Sequence, residues 1–292
     1  MQPASAAIGF YAEDSALGCW RSWHWRPAPL AGAVDVLWYF EGQVAHPAER
    51  VFPDGSVQLI VQLGGAPYAN IEGARILGCP ALCVTGLHTR AIRVKAPEGT
   101  SQVLGIRLRP LAAHAVLALP LREASNLTLG LEEVIGAAAR ELADACTDAQ
   151  GGEARLRAAA RWVCGRLRSS HARALAPDPA LAWLVRQLEA TQGRAAIAGL
   201  RERSGYGSAQ LQAACLRHLG VSPKRFARLL RFRHAMAQLN SGSLPLSELA
   251  LATGYYDQPH MNAEFRDFAG LTPGEILHAR RYPNTSSLAE AA

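Results

Sequence analysis

The apolar positions along the chain change period near residue 110. From Val34 they alternate or form short continuous runs. Val34 to Phe40, Val57 to Leu63, Arg75 to Leu77, Ala81 to Thr85, Ile92 to Lys95 and Gln102 to Leu108 are candidate strands. Pro53-Asp54-Gly55 is a strong turn signal between two of them. The set predicts a cupin-like β-barrel or sandwich over residues 1–110. The first 33 residues, rich in tryptophan and proline, read as irregular or edge structure laid on a sheet. Beyond Pro110 the period becomes 3.6. Residues 111–119, 131–146 and 155–167 read as helices of an extension over 111–170. That extension is a candidate dimerisation surface, with plain packing on the barrel as the alternative. Residues 171–178 read as a linker, 179–282 as an all-helical domain and 283–292 as a disordered tail. The fold class is therefore α+β.

Within the helical region a single design occurs twice. In residues 246–273, Leu246, Leu249 and Ala250 face inward, Gly254 turns the chain, and Asp257 caps a helix to about Ala269. Met261, Phe265 and Phe268 form the inner face of that helix, and Gly270-Leu-Thr-Pro273 ends it. In residues 195–223 the same order returns: Ile197 and Leu200, Gly205, then Leu211, Cys215 and Leu219, then Gly220-Val-Ser-Pro223. Helix, tight turn, helix is the arrangement that sets a second helix in the DNA major groove. Between the copies, Phe226, Leu229, Leu230, Phe232, Met236 and Leu239 mark one long amphipathic helix that fixes their relation.

These residues resemble the AraC/XylS family of bacterial transcription regulators over about 179–281. The signature is Leu249-Ala250, Gly254-Tyr-Tyr-Asp257-Gln258-Pro-His260, Phe265 and Gly270-Leu-Thr-Pro273, with Gly220-Val-Ser-Pro-Lys-Arg-Phe226 and Arg231-Phe-Arg-His-Ala235 before it. The resemblance implies two units entering successive major grooves. The first half resembles an N-terminal domain of unassigned ligand, through Leu37-Trp38-Tyr39, Pro53-Asp54-Gly55-Ser56, the run from Leu104 to Pro110, and Leu119-Pro120. Four positions depart from the family pattern. Ala213 and Ala263 stand where arginines are usual, Cys215 where phenylalanine is usual, and Arg201 where a small residue lets two helices approach. Arg201 must splay the helices or turn outward.

A helical projection of 257–269 puts Asn262, Ala263, Arg266 and Asp267 opposite the inner face, with Gln258 near the start. The amides Gln258 and Asn262 suit adenine edges, Arg266 suits phosphate or guanine, and Tyr256 and His260 suit phosphates. In the first unit the corresponding contacts are Ser208, Gln210 and Gln212, and Arg217, Lys224 and Arg225 complete the expected set. The second unit is expected to carry more of the specificity.

Charge agrees but weakly. The net charge is +6, and all but Lys95 and Lys224 of the 30 basic residues are arginine. Residues 1–175 hold 17 basic and 15 acidic residues, and the remainder 13 and 9, so the excess concentrates in the second half. No apolar run reaches the roughly 20 residues of a membrane span, and no signal peptide is legible, which predicts a cytoplasmic protein. The six cysteines form no CxxC pair, and His24, His46, His88 and His114 have no metal-ligand spacing, so neither metal nor cofactor is expected. For a small-molecule effector the candidates are Trp20, Trp23, Trp25, Trp38 and Tyr39 in an aromatic box, with core packing as the alternative, and Arg107 and Arg109, which favour an acidic effector if both face the barrel interior and are solubility charges if they face out. Expected partners are double-stranded DNA, such an effector, RNA polymerase for an activator, and a second copy in a homodimer. The leading function is a non-enzymatic, sequence-specific transcription regulator. The rivals are a cupin-type enzyme with a helical accessory and a protein-interaction module with degenerate DNA binding.

Overall fold

The computed structural model describes residues 7–242, 244–279 and 287–290. Its N-terminal domain contains two antiparallel sheets. The strands are β1 (Gly9–Ser15), β2 (Gly18–Trp25), β3 (Val34–Val44), β4 (Ala48–Val51), β5 (Val57–Gly64), β6 (Ala69–Glu72), β7 (Arg75–Gly78), β8 (Leu82–Thr85), β9 (Ile92–Lys95), β10 (Ser101–Leu108), β11 (Thr128–Gly130) and β12 (Ser287–Glu290). The larger sheet runs β1-β2-β3-β10-β5-β8-β11 and the smaller β12-β4-β9-β6-β7. Two expectations are corrected here. The first 33 residues contain a regular hairpin, Gly9 to Ser15 paired with Gly18 to His24, at the edge of the larger sheet. Of the expected disordered tail, Ser287–Glu290 pairs with Ala48–Val51, and the rest lies outside the described residues.

Alternation sorts the larger sheet into two faces. Leu37, Tyr39, Leu59, Val61, Leu104 and Ile106 are fully buried on one of them. Helices cover that face: α1 (Pro110–Leu117), α2 (Leu131–Ile135), α3 (Ala137–Asp148), α4 (Gly152–Arg168) and α5 (Ser170–Ala174). Gly136, at φ +59°, splits the helix expected over 131–146 into α2 and α3. Leu142, Leu156, Ala159 and Val163 join the core, and Arg155 donates to Tyr39 Oη and to Gln102 at 3.1 Å. The extension thus packs on the sheet. The first half of the expected linker, residues 171–174, is helical: α5 has Ser169 as its cap, at 3.1 Å from the Ala172 amide, and Ala172 is buried.

The C-terminal domain follows its predicted elements closely: α6 (Pro179–Ala190), α7 (Ile197–Ser204), α8 (Ser208–His218), α9 (Pro223–Ser241), α10 (Leu246–Ala252), α11 (Gln258–Ala269) and α12 (Pro273–His278). Local chemistry explains the boundaries. Ser222 caps α9 and Asp257 caps α11, the latter at 2.8 Å from the His260 amide. Thr272 and Glu275 form a capping box on α12. Gly205 and Gly254 take φ of +76° and +86° in the two turns. Phe232 of α9 meets Phe265 and Phe268 of α11 at 4.9 and 5.2 Å between ring centroids. Burying such rings joins α11 to α9, and truncating one costs about 3–5 kcal/mol.

The two domains share one continuous core. Polar contacts lock the seam. Ala91 N–H donates to Phe268 O at 2.6 Å, Arg50 to Ala269 O at 3.2 Å, and Ser125 Oγ to Gly220 O at 2.7 Å.

Candidate nucleic-acid interface

On α11 the exposed residues are Pro259, His260, Ala263 and Arg266, one face of the helix. Gln258 and Asn262 flank it and are half-buried. Asn262 Oδ1 is buried with no hydrogen-bond partner among the described residues, so this amide sits lower on the flank than the projection placed it. Tyr256 is 85% exposed just before the helix. His260 packs edge-on against Tyr255, at 5.4 Å between centroids, rather than beside Met261, and its ring remains exposed. On α8 the exposed residues are Ser208, Ala209, Gln210, Gln212, Ala213 and Arg217. Lys224 is exposed at the start of α9. Arg201 turns outward and donates to Ser208 Oγ, so the helices of the first unit are not splayed by it.

One expected contact is misplaced. Arg225 is paired with Asp267 and donates to Thr89 O at 2.8 Å, so it joins the seam between the domains rather than the reading face. Its charge serves a network that the projection missed. Glu264 is buried on the inner face of α11 against Arg228, with Arg231 at 3.8 Å, and Arg228 also reaches Asp267 at 2.8 Å. Burial pushes the Asp267 carboxyl up, but Arg225 and then Arg228 outweigh it and hold it below the ordinary range. The signal for this network was present as Arg225, Arg228 and Arg231 at helical spacing on α9. The acidic groups of α11 past its cap are thereby drawn inward and matched by arginines, while Arg266 points out. No acidic residue lies on the exposed face of α8 or α11.

The effector candidates divide. Trp38 and Arg107 line a cavity of about 900 Å³ between the two sheets. Tyr39, the alternate residue on β3, faces α4, and Arg109 has left the strand to flank α1 and pair with Glu189 of α6 at 3.8 Å. The expectation that both arginines share one side therefore fails at the end of β10. Arg107 is held by Asp54 at 3.0 Å. Burial would raise the Asp54 carboxyl, but Arg107 and the Ser56 hydrogen bonds hold it low. Burial pushes His88 down to about 4 and His24 down as well. Cys79 and Cys83 also line the cavity as thiols pushed up by burial, Cys83 to about 12.

A helix-turn-helix domain family matches residues 200–279, and a domain of unknown function (DUF6597) matches residues 26–130. No curated protein matches the chain. Among solved structures, ToxT from Vibrio cholerae is 10% identical, covering 82% of this chain and 97% of its own, with a TM-score of 0.46. The C-terminal domain of AraT, a response regulator from Geobacillus stearothermophilus, is 20% identical over 37% of this chain and 91% of its own, with a TM-score of 0.34. The AraC-like transcriptional activator CuxR is 14% identical over 89% and 80%, with a TM-score of 0.29. Likenesses at these scores carry no argument by themselves. The matched stretch from the middle of α7 through α12, with its two glycine turns and the α9 helix between them, carries the assignment: the C-terminal domain is an AraC-type helix-turn-helix domain.

Proposed function

We propose that α8 and α11 read two successive major grooves and that the cavity in the N-terminal domain controls how they are presented. One observation carries the first half: the acidic groups of α11 are matched inward while Arg266, Arg217 and Lys224 stay exposed. A face without carboxylates is what a phosphate backbone requires. The helix α9, 19 residues and thus roughly 28 Å long, spaces the units on the scale of one helical turn of DNA. In this reading Gln258, Asn262, Gln210 and Gln212 touch base edges, and Tyr256, His260, Ser208 and Arg217 touch phosphates.

The second half rests on the cavity wall. Asp54 lines the cavity, and its carbonyl accepts from Arg233 of α9 at 3.2 Å. His88 and Ile92 line it too, and between them Thr89 and Ala91 hold Arg225 and Phe268. A molecule that moved either wall segment would act on α9 and α11 directly.

Nuclease footprinting on the DNA upstream of the protein's own gene tests the reading. A protected site is expected, with Arg266→Ala weakening it and lowering the salt slope by about 1. The absence of a footprint at every salt concentration would refute it and favour an interaction module.

A further inference from the structure

The charged side chains on the cavity wall are Arg26, Arg107, Glu49 and Asp54, two of each sign. Arg107, the guanidinium on β10, has Asp54 at 3.0 Å and Asp35 at 3.9 Å. A ligand carboxylate would have to displace Asp54 and strand its charge in the wall, which is unfavourable for a buried pair. The remaining polar lining is neutral and includes Ser22, Gln58, Gln62, Asn70, Thr85 and Thr128, with His24 and His88. His88 Nε2 is buried and has no hydrogen-bond partner among the described residues.

The apolar walls combine aliphatic side chains, Val36, Ile60, Ile92 and Val103 among them, with ring surfaces. Trp38 lies flat over Gly105, so close that a Cβ there would stand 2.0 Å from the indole. The neighbouring strand therefore fixes the ring and leaves its other face to the cavity. Trp20 and Phe40 sit 6.2 Å apart on the same side, and Phe52 and Tyr68 add to the lining. A volume of about 900 Å³ falls in the range of small-molecule sites.

We propose that this cavity binds an uncharged, ring-containing molecule, stacked on Trp38 and hydrogen-bonded by His88 and Gln58. The proposal rests on the regulatory reading above and names its ligand class. Such a ligand stacks on fixed rings with little ordering and supplies the partner that His88 Nε2 lacks.

A matched pair of compounds tests it: biphenyl-4-methanol and biphenyl-4-carboxylate, titrated into the full chain and followed by tryptophan fluorescence and calorimetry. The alcohol should bind at least ten-fold more tightly. Asp54→Asn keeps an oxygen for Ser56 and the carbonyl for Arg233 but removes the carboxylate 3.0 Å from Arg107, leaving it the more distant Asp35, and should narrow or invert that ratio. Ile60→Trp, which puts a ring into the cavity, should abolish binding of both while thermal unfolding reports an intact fold. Carboxylate binding equal to or tighter than the alcohol, no binding of either, or a ratio untouched by Asp54→Asn overturns the proposal. Footprinting on the same preparation separates the cases: an intact footprint with the wrong ligand preference sinks only the ligand class.

Discussion

Glu264→Gln removes one charge and almost no volume from the contact between α9 and α11. The Glu264 side chain is 5% exposed, between Arg228 and Arg231, which are 27% and 19% exposed. Removing one partner of a buried ion pair costs about 3–5 kcal/mol, because the other charge stays behind in the interior. Arg228 keeps Asp267, and Arg231 keeps the face of Tyr255 at 5.4 Å, so the loss falls below that range, to about 2–3 kcal/mol. At roughly 2–4 °C per kcal/mol for a domain of 150–250 residues, melting should drop by about 4–12 °C. Calorimetry gives the melting shift, and amide exchange of α11 shows where stability is lost. Asp267→Asn, at the solvent edge of the same network, should cost about 1 kcal/mol. The reasoning fails if Glu264→Gln stays within about 0.5 kcal/mol of the native protein, or if Asp267→Asn is the more damaging change.

Three further outcomes follow from the structure. Asn262→Ala should lose about 1–3 kcal/mol of discrimination at one base pair, and equal damage from Gln212→Ala would refute the primacy of the second unit. Gly105→Ala would drive Trp38 off its strand, costing about 1–3 kcal/mol and shifting indole emission, and an unchanged melting point and spectrum would contradict the fixed ring. Below pH 6.5 the fold should weaken: burial, then His114 and Arg217, pull His218 down to about 4. The folded state then holds fewer protons than the unfolded chain between pH 6.5 and 4, so its full contribution stands above 6.5 and is lost as pH falls toward 4. His218→Leu should flatten that section of the profile by at most about 3 kcal/mol, and a slope identical to the native one would rule His218 out as its source.

The helical half was legible because its determinants are local. Caps such as Asp257 and Ser222, and turn glycines such as Gly205 and Gly254, act within a few residues of where they stand. The first hairpin was missed because its strands gain their order from pairing: Trp20 pairs across the hairpin with Glu13, and neither neighbour signals it. Tyr39 and Arg109 were misassigned for related reasons. Trp38 and Tyr39 look equivalent as aromatics, but alternation sends them to opposite faces of one strand. Arg109 continues the alternation of Arg107 on paper, while Pro110 ends the strand and begins α1. Arg225, Arg228 and Arg231 recur at helical spacing on α9, but the partner of Arg228, Glu264, lies 36 residues on, so periodicity showed one half of the network and not its pairing.

The seam between the domains gives the inequality of the two units a second meaning. The end of α8 is held through His218, whose ring lies 4.6 Å from that of His114 on α1, and through Gly220, seated on Ser125 and Leu121. A side chain at Gly220 would collide with both. The end of α11 is held by Ala91 and Arg50, which take up the carbonyls of Phe268 and Ala269 that a helix terminus leaves unpaired. One domain therefore grips both α8 and α11, and it does so at their C-terminal ends. Close-packed seams of this kind shift between discrete arrangements rather than deforming smoothly. In the function proposed above, control by the N-terminal domain would be a matter of the angle and spacing between α8 and α11, not of uncovering either. A change at one grip would leave each unit able to touch DNA while removing their ability to meet two grooves at once.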